Sequence, residues 1–170
     1  NGDLRRLPVK ATALDFAFEI HTQVGAKCIG AKVNHKLVPL SHELKSGDQV
    51  EIITSAKQKP KEDWLNYVAT SKAKAKIKGS LKEERKEASL DGREILERKL
   101  KALKVPFNED NLNELIKLYG FKEHTEMYYQ IAKDKVNLAR IKDIIIKGGR
   151  LKNSSITDSL KGSLSTLVNK

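Results

Sequence analysis

The stretch ALDFAFEIHTQV at residues 13–24 decides the first part of the fold. Its large apolar side chains recur at helical spacing, Thr12 precedes it as an N-cap candidate, and Gly25 follows it as a left-handed stop. We therefore predict one amphipathic helix of about three turns over this stretch.

Short runs with the pattern of β-strands lie on both sides of this helix. They are LRRLPVK at residues 4–10, CIGAKV at 28–33, KLVPL at 36–40 and QVEIIT at 49–54. Between the second and third runs, Asn34-His35 is a two-residue hairpin candidate. The predicted order is therefore strand, helix, hairpin, strand.

From residue 61 onward, helical periodicity replaces the strand pattern. Trp64 and Val68 share one face of a predicted helix that leads into a lysine-rich stretch, and Gly79-Ser80 is expected to break or kink it. Asn108 is a predicted helix cap and Gly120 a predicted helix stop. Further helices are predicted at residues 95–103, 112–119, 127–132 and 138–146.

The change of pattern near residue 60 divides the chain into two small domains. We predict an α+β domain at residues 1–57, a linker at 58–60, an all-helical domain at 61–149 and a linker or poorly packed tail at 150–170. A chain of 170 residues with 39% hydrophobic content can bury one modest core or two small ones. The predicted fold class is α+β.

Composition restricts the class of protein. A single cysteine, Cys28, excludes an internal disulfide, and no run reaches the roughly 18 to 20 apolar residues of a membrane span. We therefore expect a cytoplasmic protein without membrane contact. The sequence opens with Asn-Gly-Asp instead of methionine, so we also expect the natural protein to begin upstream.

The formal net charge of +11 favours contact with polyanions such as nucleic-acid backbones. A lysine-rich surface that only keeps the protein in solution would have the same composition. The distribution is uneven, because SKAKAKIKGSLK at residues 71–82 carries five lysines and no acid. This stretch is the candidate contact with phosphate.

No local signature of catalysis or metal binding is present. Cys28, His35 and His42 are spaced too widely for a zinc-ligand pair, and neither G-x-x-x-x-G-K-[ST] nor G-x-G-x-x-G occurs. We predict no catalytic residue, no metal and no cofactor for this chain. Periodicity alone favours a helix-stabilising role for His21, at the end of the first predicted helix, over a binding role.

Three segments resemble one family. LDFAFEIHTQVGAKCIGAKVN (residues 14–34) and LVPLSHELKSGDQVEIITS (37–55) resemble the TGS domain of RelA/SpoT homologues, and DWLNYVATSKAKAKIK (63–78) resembles the motif that follows it. The TGS domains of threonyl-tRNA synthetases and Obg/DRG-type GTPases lack the Asp-Trp-Leu continuation. The resemblance is close up to about residue 105 and looser beyond it.

The resemblance implies a ubiquitin-like β-grasp fold followed by the family's helical domain. The first strand of the family would lie just before Asn1, so we expect residues 4–10 to lack a hairpin partner and leave an edge exposed. The parent protein would synthesise or hydrolyse (p)ppGpp, or do both, as a GTP pyrophosphokinase or a (p)ppGpp hydrolase. Its catalytic domains would lie N-terminal to this chain, which would itself be regulatory.

The resemblance also assigns a site. In RelA/SpoT homologues the TGS domain binds the 3′ CCA end of uncharged tRNA on the ribosome, and the histidine of the I-H-T motif contacts that end; here the matching residues are His21 and Thr22. An imidazole can stack on the terminal adenine and hydrogen-bond the free ribose hydroxyl. The predicted RNA-backbone residues are Lys72, Lys74, Lys76 and Lys78. On a helix they form two pairs on different sides, and the pattern leaves open which pair faces RNA.

Two functions of different class follow. The first is an RNA-binding sensor whose partners are uncharged tRNA and the ribosome. The second is a protein-interaction module whose sheet docks on the enzyme's own N-terminal catalytic domains or on acyl carrier protein. Salt dependence separates them, because each phosphate contact on a single strand contributes about −0.7 to the slope of log affinity against log salt.

Overall fold

A computed structural model of the chain describes residues 2–143, 145–147 and 150–152. It contains two compact units that divide between Glu84 and Arg85. Within the described residues, no helix is long and apolar enough to cross a membrane. The predicted tail lies outside the described residues from position 153 onward.

The first unit holds a three-stranded antiparallel sheet in the order β2-β1-β3. The strands are β1 Cys28–Val33, β2 Lys36–Val38 and β3 Val50–Thr54. Asn34 and His35 join β1 to β2 with φ of 50° and 67°. Positive φ at both positions is the geometry of a type I′ turn, so the predicted hairpin is confirmed.

The predicted helix over residues 13–24 is interrupted in the structure. α1 spans Ala13–Ile20 and α2 spans Thr22–Ala26, while His21 between them has extended backbone. Gly25 was predicted to be a left-handed stop, and this was wrong because it lies buried inside α2. Glycine is needed there for space, since a Cβ would come within 2.4 Å of the Phe18 ring.

Residues 4–10 were predicted to be a strand, and they form none. Pro8 has no backbone N–H to donate and Lys10 has a φ of 70°, so the segment turns instead of pairing. Leu4 and Val9 are 99% and 91% exposed. Pairing begins only at Thr12, which forms an isolated bridge with Glu43.

The core of the first unit combines α1 with the chain beyond residue 60. Its buried side chains are Leu14, Ala17, Phe18, Cys28, Trp64, Val68, Ala73 and Ile77. Trp64 lies in a 3₁₀ helix at Glu62–Asn66, and Ala73 lies in α3, Ser71–Ala102. A single helix through Trp64 and the lysines was therefore a wrong prediction. The predicted domain limits stay a prediction, although the first compact unit extends beyond the predicted linker.

The long helix α3 continues through Gly79-Ser80, where a break or kink was predicted. That prediction was wrong. A glycine inside a helix costs only about 1 kcal/mol relative to alanine, and a helix of 32 residues tolerates that cost.

The second unit takes in the later part of α3, then α4 Glu109–Tyr119 and α5 His124–Ala132. As predicted, the Asn108 side chain caps α4, accepting from the Asn111 N–H at 3.0 Å, and Gly120 ends it with a φ of 75°. The core residues are Leu96, Leu100, Val105, Leu112, Leu115, Met127, Tyr128, Ile131 and Ile141.

The end of the second unit differs from the predicted helix over residues 138–146. A 3₁₀ helix spans Leu138–Asp143, and an antiparallel pair follows, β4 Ile145–Lys147 with β5 Arg150–Lys152. The predicted helix was wrong at residues 145 and 146, because the β-branched Ile145 and Ile146 favour strand. The predicted class, an α+β domain followed by a helical region, is confirmed.

Candidate functional site

His21 is an exposed residue that joins α1 to α2. Its backbone N–H donates to the Ala17 carbonyl oxygen, which ends α1, and its Nδ1 accepts from the Gln23 N–H at 3.1 Å, which caps α2. A neutral imidazole with Nδ1 as acceptor carries its proton on Nε2. The ring therefore offers a flat face and one N–H donor. Thr22, the other predicted tRNA-end residue, is half-buried at the start of α2.

The four predicted RNA-backbone lysines are all exposed on the first turns of α3. Ala73 and Ile77 form the buried seam of this part of the helix. At about 100° per residue, Lys72 and Lys76 lie on one side of the seam and Lys74 and Lys78 on the other. The structure thus keeps the lysines in two separate pairs.

One of these lysines is in an ion pair. Lys72 Nζ lies 3.1 Å from Glu19 Oε2, with the two side chains 52% and 32% exposed. Glu19 lies in α1, two residues before His21. The ion pair therefore puts the Lys72 side of α3 beside the end of α1 that carries the histidine.

A buried carboxylate holds the same two helices together. Asp15 in α1 accepts hydrogen bonds from the backbone of Ala69 and Thr70, which directly precede α3, and from the Thr70 hydroxyl. Asp15 was not among the predicted site residues. The pattern Thr12-x-x-Asp15 matches a capping box, a signal that was available, and the structure shows both of its bonds.

Cys28, His35 and His42 do not assemble into a site. Burial raises the pKa of the Cys28 thiol from 9.0 to about 11, while His35 lies exposed in the hairpin turn. Among the residues that the structure describes, no group of three or more His, Cys, Asp or Glu side chains could hold a metal ion.

Comparison with known families places two domains on the chain. A model of the TGS domain matches residues 1–54, and a model of the RelA/SpoT AH domain matches residues 81–143. The residues between the two matches contain Trp64 and the predicted RNA-backbone lysines.

Several curated proteins are similar to this chain. A GTP pyrophosphokinase of Myxococcus xanthus is 43% identical over 140 residues, which is 79% of this chain and 18% of that protein. A guanosine-3′,5′-bis(diphosphate) 3′-pyrophosphohydrolase of Aquifex aeolicus is 42% identical over 145 residues, 85% of this chain and 21% of that protein. A GTP pyrophosphokinase of Escherichia coli K12 is 39% identical over 142 residues, 81% of this chain and 19% of that protein. The chain thus spans about a fifth of the length of these relatives.

Proposed function

Because the chain is a RelA/SpoT homologue with a TGS domain and an AH domain, we propose that it is a regulatory region without catalytic activity of its own. It belongs to a longer protein that synthesises or hydrolyses (p)ppGpp. Its role is to bind the 3′ CCA end of uncharged tRNA on the ribosome and to control the catalytic domains of that protein. That control is a coupling between two distant sites.

The observation that carries this proposal is the geometry of His21. The ring is exposed, its Nδ1 is occupied by the Gln23 N–H, and its Nε2 remains as a donor. A flat ring of this kind stacks on the terminal adenine while Nε2–H donates to a free ribose hydroxyl. An esterified amino acid adds bulk and removes a hydroxyl at that position, so the site distinguishes uncharged from charged tRNA.

One of the two lysine pairs at the start of α3 supplies the second part of the RNA contact. Ammonium groups on an exposed helix attract phosphates without reading base sequence. They increase affinity for RNA in general, whereas His21 recognises the state of the 3′ end.

His21→Asn tests the role of the ring at the 3′ end of tRNA. Asparagine is a good N-cap and can still accept from the Gln23 N–H, so the helix junction should persist while the ring is lost. Stacking one base on an aromatic group is worth roughly 1–3 kcal/mol, so affinity for uncharged tRNA should fall about five- to a hundredfold. Titration of the chain with uncharged and aminoacylated tRNA measures this, and the variant should no longer distinguish the two.

His35→Asn is the matched control for this substitution. His35 is also exposed, and asparagine tolerates its φ of 67°. Its affinity for tRNA should equal that of the wild type. Wild-type affinity in His21→Asn would contradict the sensor role. In the longer natural protein, His21→Glu should abolish the stimulation of (p)ppGpp synthesis by uncharged tRNA and leave basal synthesis intact.

A second candidate function is supported by the outer face of the sheet. Leu37 is 73% exposed and Ile29 is 49% exposed, which provides apolar contact area on strands β2 and β1. A protein-interaction module would use this face to dock on the enzyme's own catalytic half or on acyl carrier protein. An apolar interface of that kind has little salt dependence, in contrast to the lysine contacts with RNA.

A further inference from the structure

Asp15 is a carboxylate that the fold buries almost completely, with 1% of its surface exposed. It accepts five hydrogen bonds, which come from two segments of the chain. The Thr12 N–H and hydroxyl donate at 2.9 and 3.2 Å, and the Ala69 N–H, Thr70 N–H and Thr70 hydroxyl donate at 2.9, 3.0 and 2.7 Å. A buried carboxylate needs such donors, because each missing hydrogen bond leaves a desolvated charge without compensation.

Thr70 passes this connection on to the lysine-bearing helix. Its hydroxyl donates to Asp15 and accepts from the Ala73 N–H at 3.2 Å, and its carbonyl oxygen accepts from the Lys74 N–H at 3.1 Å. These are the bonds of an N-cap residue. The Asp15 carboxylate in α1 is therefore bonded directly to the residue that caps α3.

A second contact joins α1 to the first turn of α3. Asp15 meets Thr70, and one turn later on α1 Glu19 meets Lys72. Lys76 lies one helical turn after Lys72 and therefore on the same side of α3. The Lys72 and Lys76 side of α3 is thus the side that contacts α1 two residues before His21.

The two lysines on this side differ in their charge environment. Lys72 is ion-paired with Glu19, which offsets its charge for an incoming phosphate. Lys76, one turn further, is exposed, and the structure gives it no ion pair with a described residue. Lys76 is the cation of this side that can bind a phosphate without first losing a partner.

We propose that Asp15 is the positioning residue of the RNA site, holding α3 so that Lys76 binds the phosphates of the same RNA 3′ end that stacks on His21. This inference rests on the proposed function. It adds that the Lys72 and Lys76 side faces RNA, that Lys74 and Lys78 face solvent, and that the histidine and the lysine act as one surface through the Asp15–Thr70 hydrogen bonds.

The test uses the full chain and a single-stranded RNA oligonucleotide that ends in CCA, titrated across a series of salt concentrations. In the wild-type background, Lys76→Gln should reduce the steepness of the salt dependence by about 0.7, and the matched Lys74→Gln should leave it unchanged. In the Asp15→Asn background, Lys76→Gln should have no further effect on the salt dependence of binding. Asp63→Asn, at an exposed carboxylate that accepts from the Tyr67 hydroxyl, is the control background and should preserve the Lys76 effect.

Trp64 fluorescence in the same samples reports whether the first core is folded at the temperature of the titration. If Asp15→Asn is unfolded, Thr70→Val removes the hydroxyl link with nearly the same side-chain volume, and it should abolish the Lys76 effect in a folded chain. If Asp15 and Thr70 had a purely structural role, these substitutions would change the melting temperature and leave the Lys76 contribution to the salt slope intact.

Two results would overturn the inference while the proposed function stands. One is a Lys76 effect of full size in the folded Asp15→Asn or Thr70→Val chain. The other is a salt slope unaffected by Lys76→Gln in the wild-type background while His21→Asn still weakens binding. If His21→Asn has no effect either, the proposed function itself has failed.

Discussion

Short polar side chains shape the first unit by hydrogen bonds to nearby backbone groups. At the hairpin, the Asn34 side chain donates to Asp48 at 2.9 Å and accepts from the Gln49 N–H at 3.0 Å. The Lys45 N–H, and next the Asn34 amide, lower the pKa of the Asp48 carboxyl. His21, Asp15 and this hairpin pair follow the same rule, in which the side chain satisfies groups that the local backbone leaves unpaired.

The thiol of Cys28 yields a prediction about pH. Burial raises its pKa to about 11, so the folded chain at pH 8 carries almost no thiolate and should react slowly with iodoacetamide. The unfolded thiol ionises first as the pH rises. The free energy of unfolding should therefore be unaffected by this group below about pH 9 and should decrease as the pH rises from there towards 11.

Labelling rates in buffer and in denaturant, followed from pH 7 to pH 10, measure this effect. The chain has one cysteine, so the modified mass reports Cys28 alone. Equal rates for the folded and the denatured chain at pH 8 would show that the thiol is accessible.

The helix α3 is continuous although its local sequence predicts a break at Gly79-Ser80. Glycine followed by serine is a common helix-breaking pair, and its neighbours are mostly lysine and glutamate with few apolar groups. The helix nevertheless continues, because Ala73 and Ile77 are buried in the core of the first unit and Leu96 and Leu100 in that of the second. Tertiary packing on both sides of the glycine outweighs the local preference.

Gly79→Ala should therefore stabilise the chain. The glycine has ordinary helical backbone, and a Cβ there would meet nothing within 4 Å. Removing the entropy cost of glycine inside a helix should increase the free energy of unfolding by about 0.5–1 kcal/mol. Urea denaturation measures this change. A break or kink at Gly79 would instead make alanine destabilising.

Gly120→Ala is the matched control. This glycine ends α4 with a φ of 75°, which strains any residue that has a Cβ. The same substitution should therefore destabilise the chain, by roughly 1 kcal/mol. Opposite signs at the two glycines would separate helix propensity from the backbone requirement of a left-handed stop.

The described part of the chain has two hydrophobic cores, each built from residues distant in sequence. The first combines α1 and β1 with Trp64 and the start of α3, and the second combines the end of α3 with α4 and α5. Trp64 is the only tryptophan of the chain and is buried in the first core. Its fluorescence therefore reports the first unit alone.

Gly92→Ala should destabilise the second unit selectively. A Cβ at Gly92 would lie 1.8 Å from the Tyr128 carbonyl oxygen, so α3 and α5 would have to move apart. Overpacking of this kind costs typically about 1–3 kcal/mol. Hydrogen exchange should accelerate in α4 and α5, while β1 to β3 and the Trp64 fluorescence transition stay as in the wild type.

Gly79→Ala on the same helix is the control and should not accelerate exchange in α5. If Gly92→Ala accelerated exchange in the β1–β3 sheet as strongly as in α5, the two cores would not be independent in stability.

Local signals in the sequence were enough to predict one hairpin turn, several helix ends and the family. The Asn34-His35 turn, the Thr12 and Asn108 caps and the Gly120 stop each depend on a few neighbouring residues. Such features could be predicted because a backbone conformation and a side-chain acceptor within a few positions are sufficient to specify them. The family resemblance likewise rests on contiguous motifs.

The arrangement of the candidate site was decided by contacts between distant residues. Hydrophobic periodicity predicted that the first helix continues through His21. Periodicity does not register that the His21 side chain caps the next helix. The bonds from Thr70 to Asp15 span 55 positions, and the ion pair between Lys72 and Glu19 spans 53. No local pattern specifies which side of the lysine helix meets Glu19. That choice follows from burying Ala73 and Ile77 in the core that also contains Leu14, Ala17 and Phe18, while leaving no donor or acceptor at Asp15 unpaired.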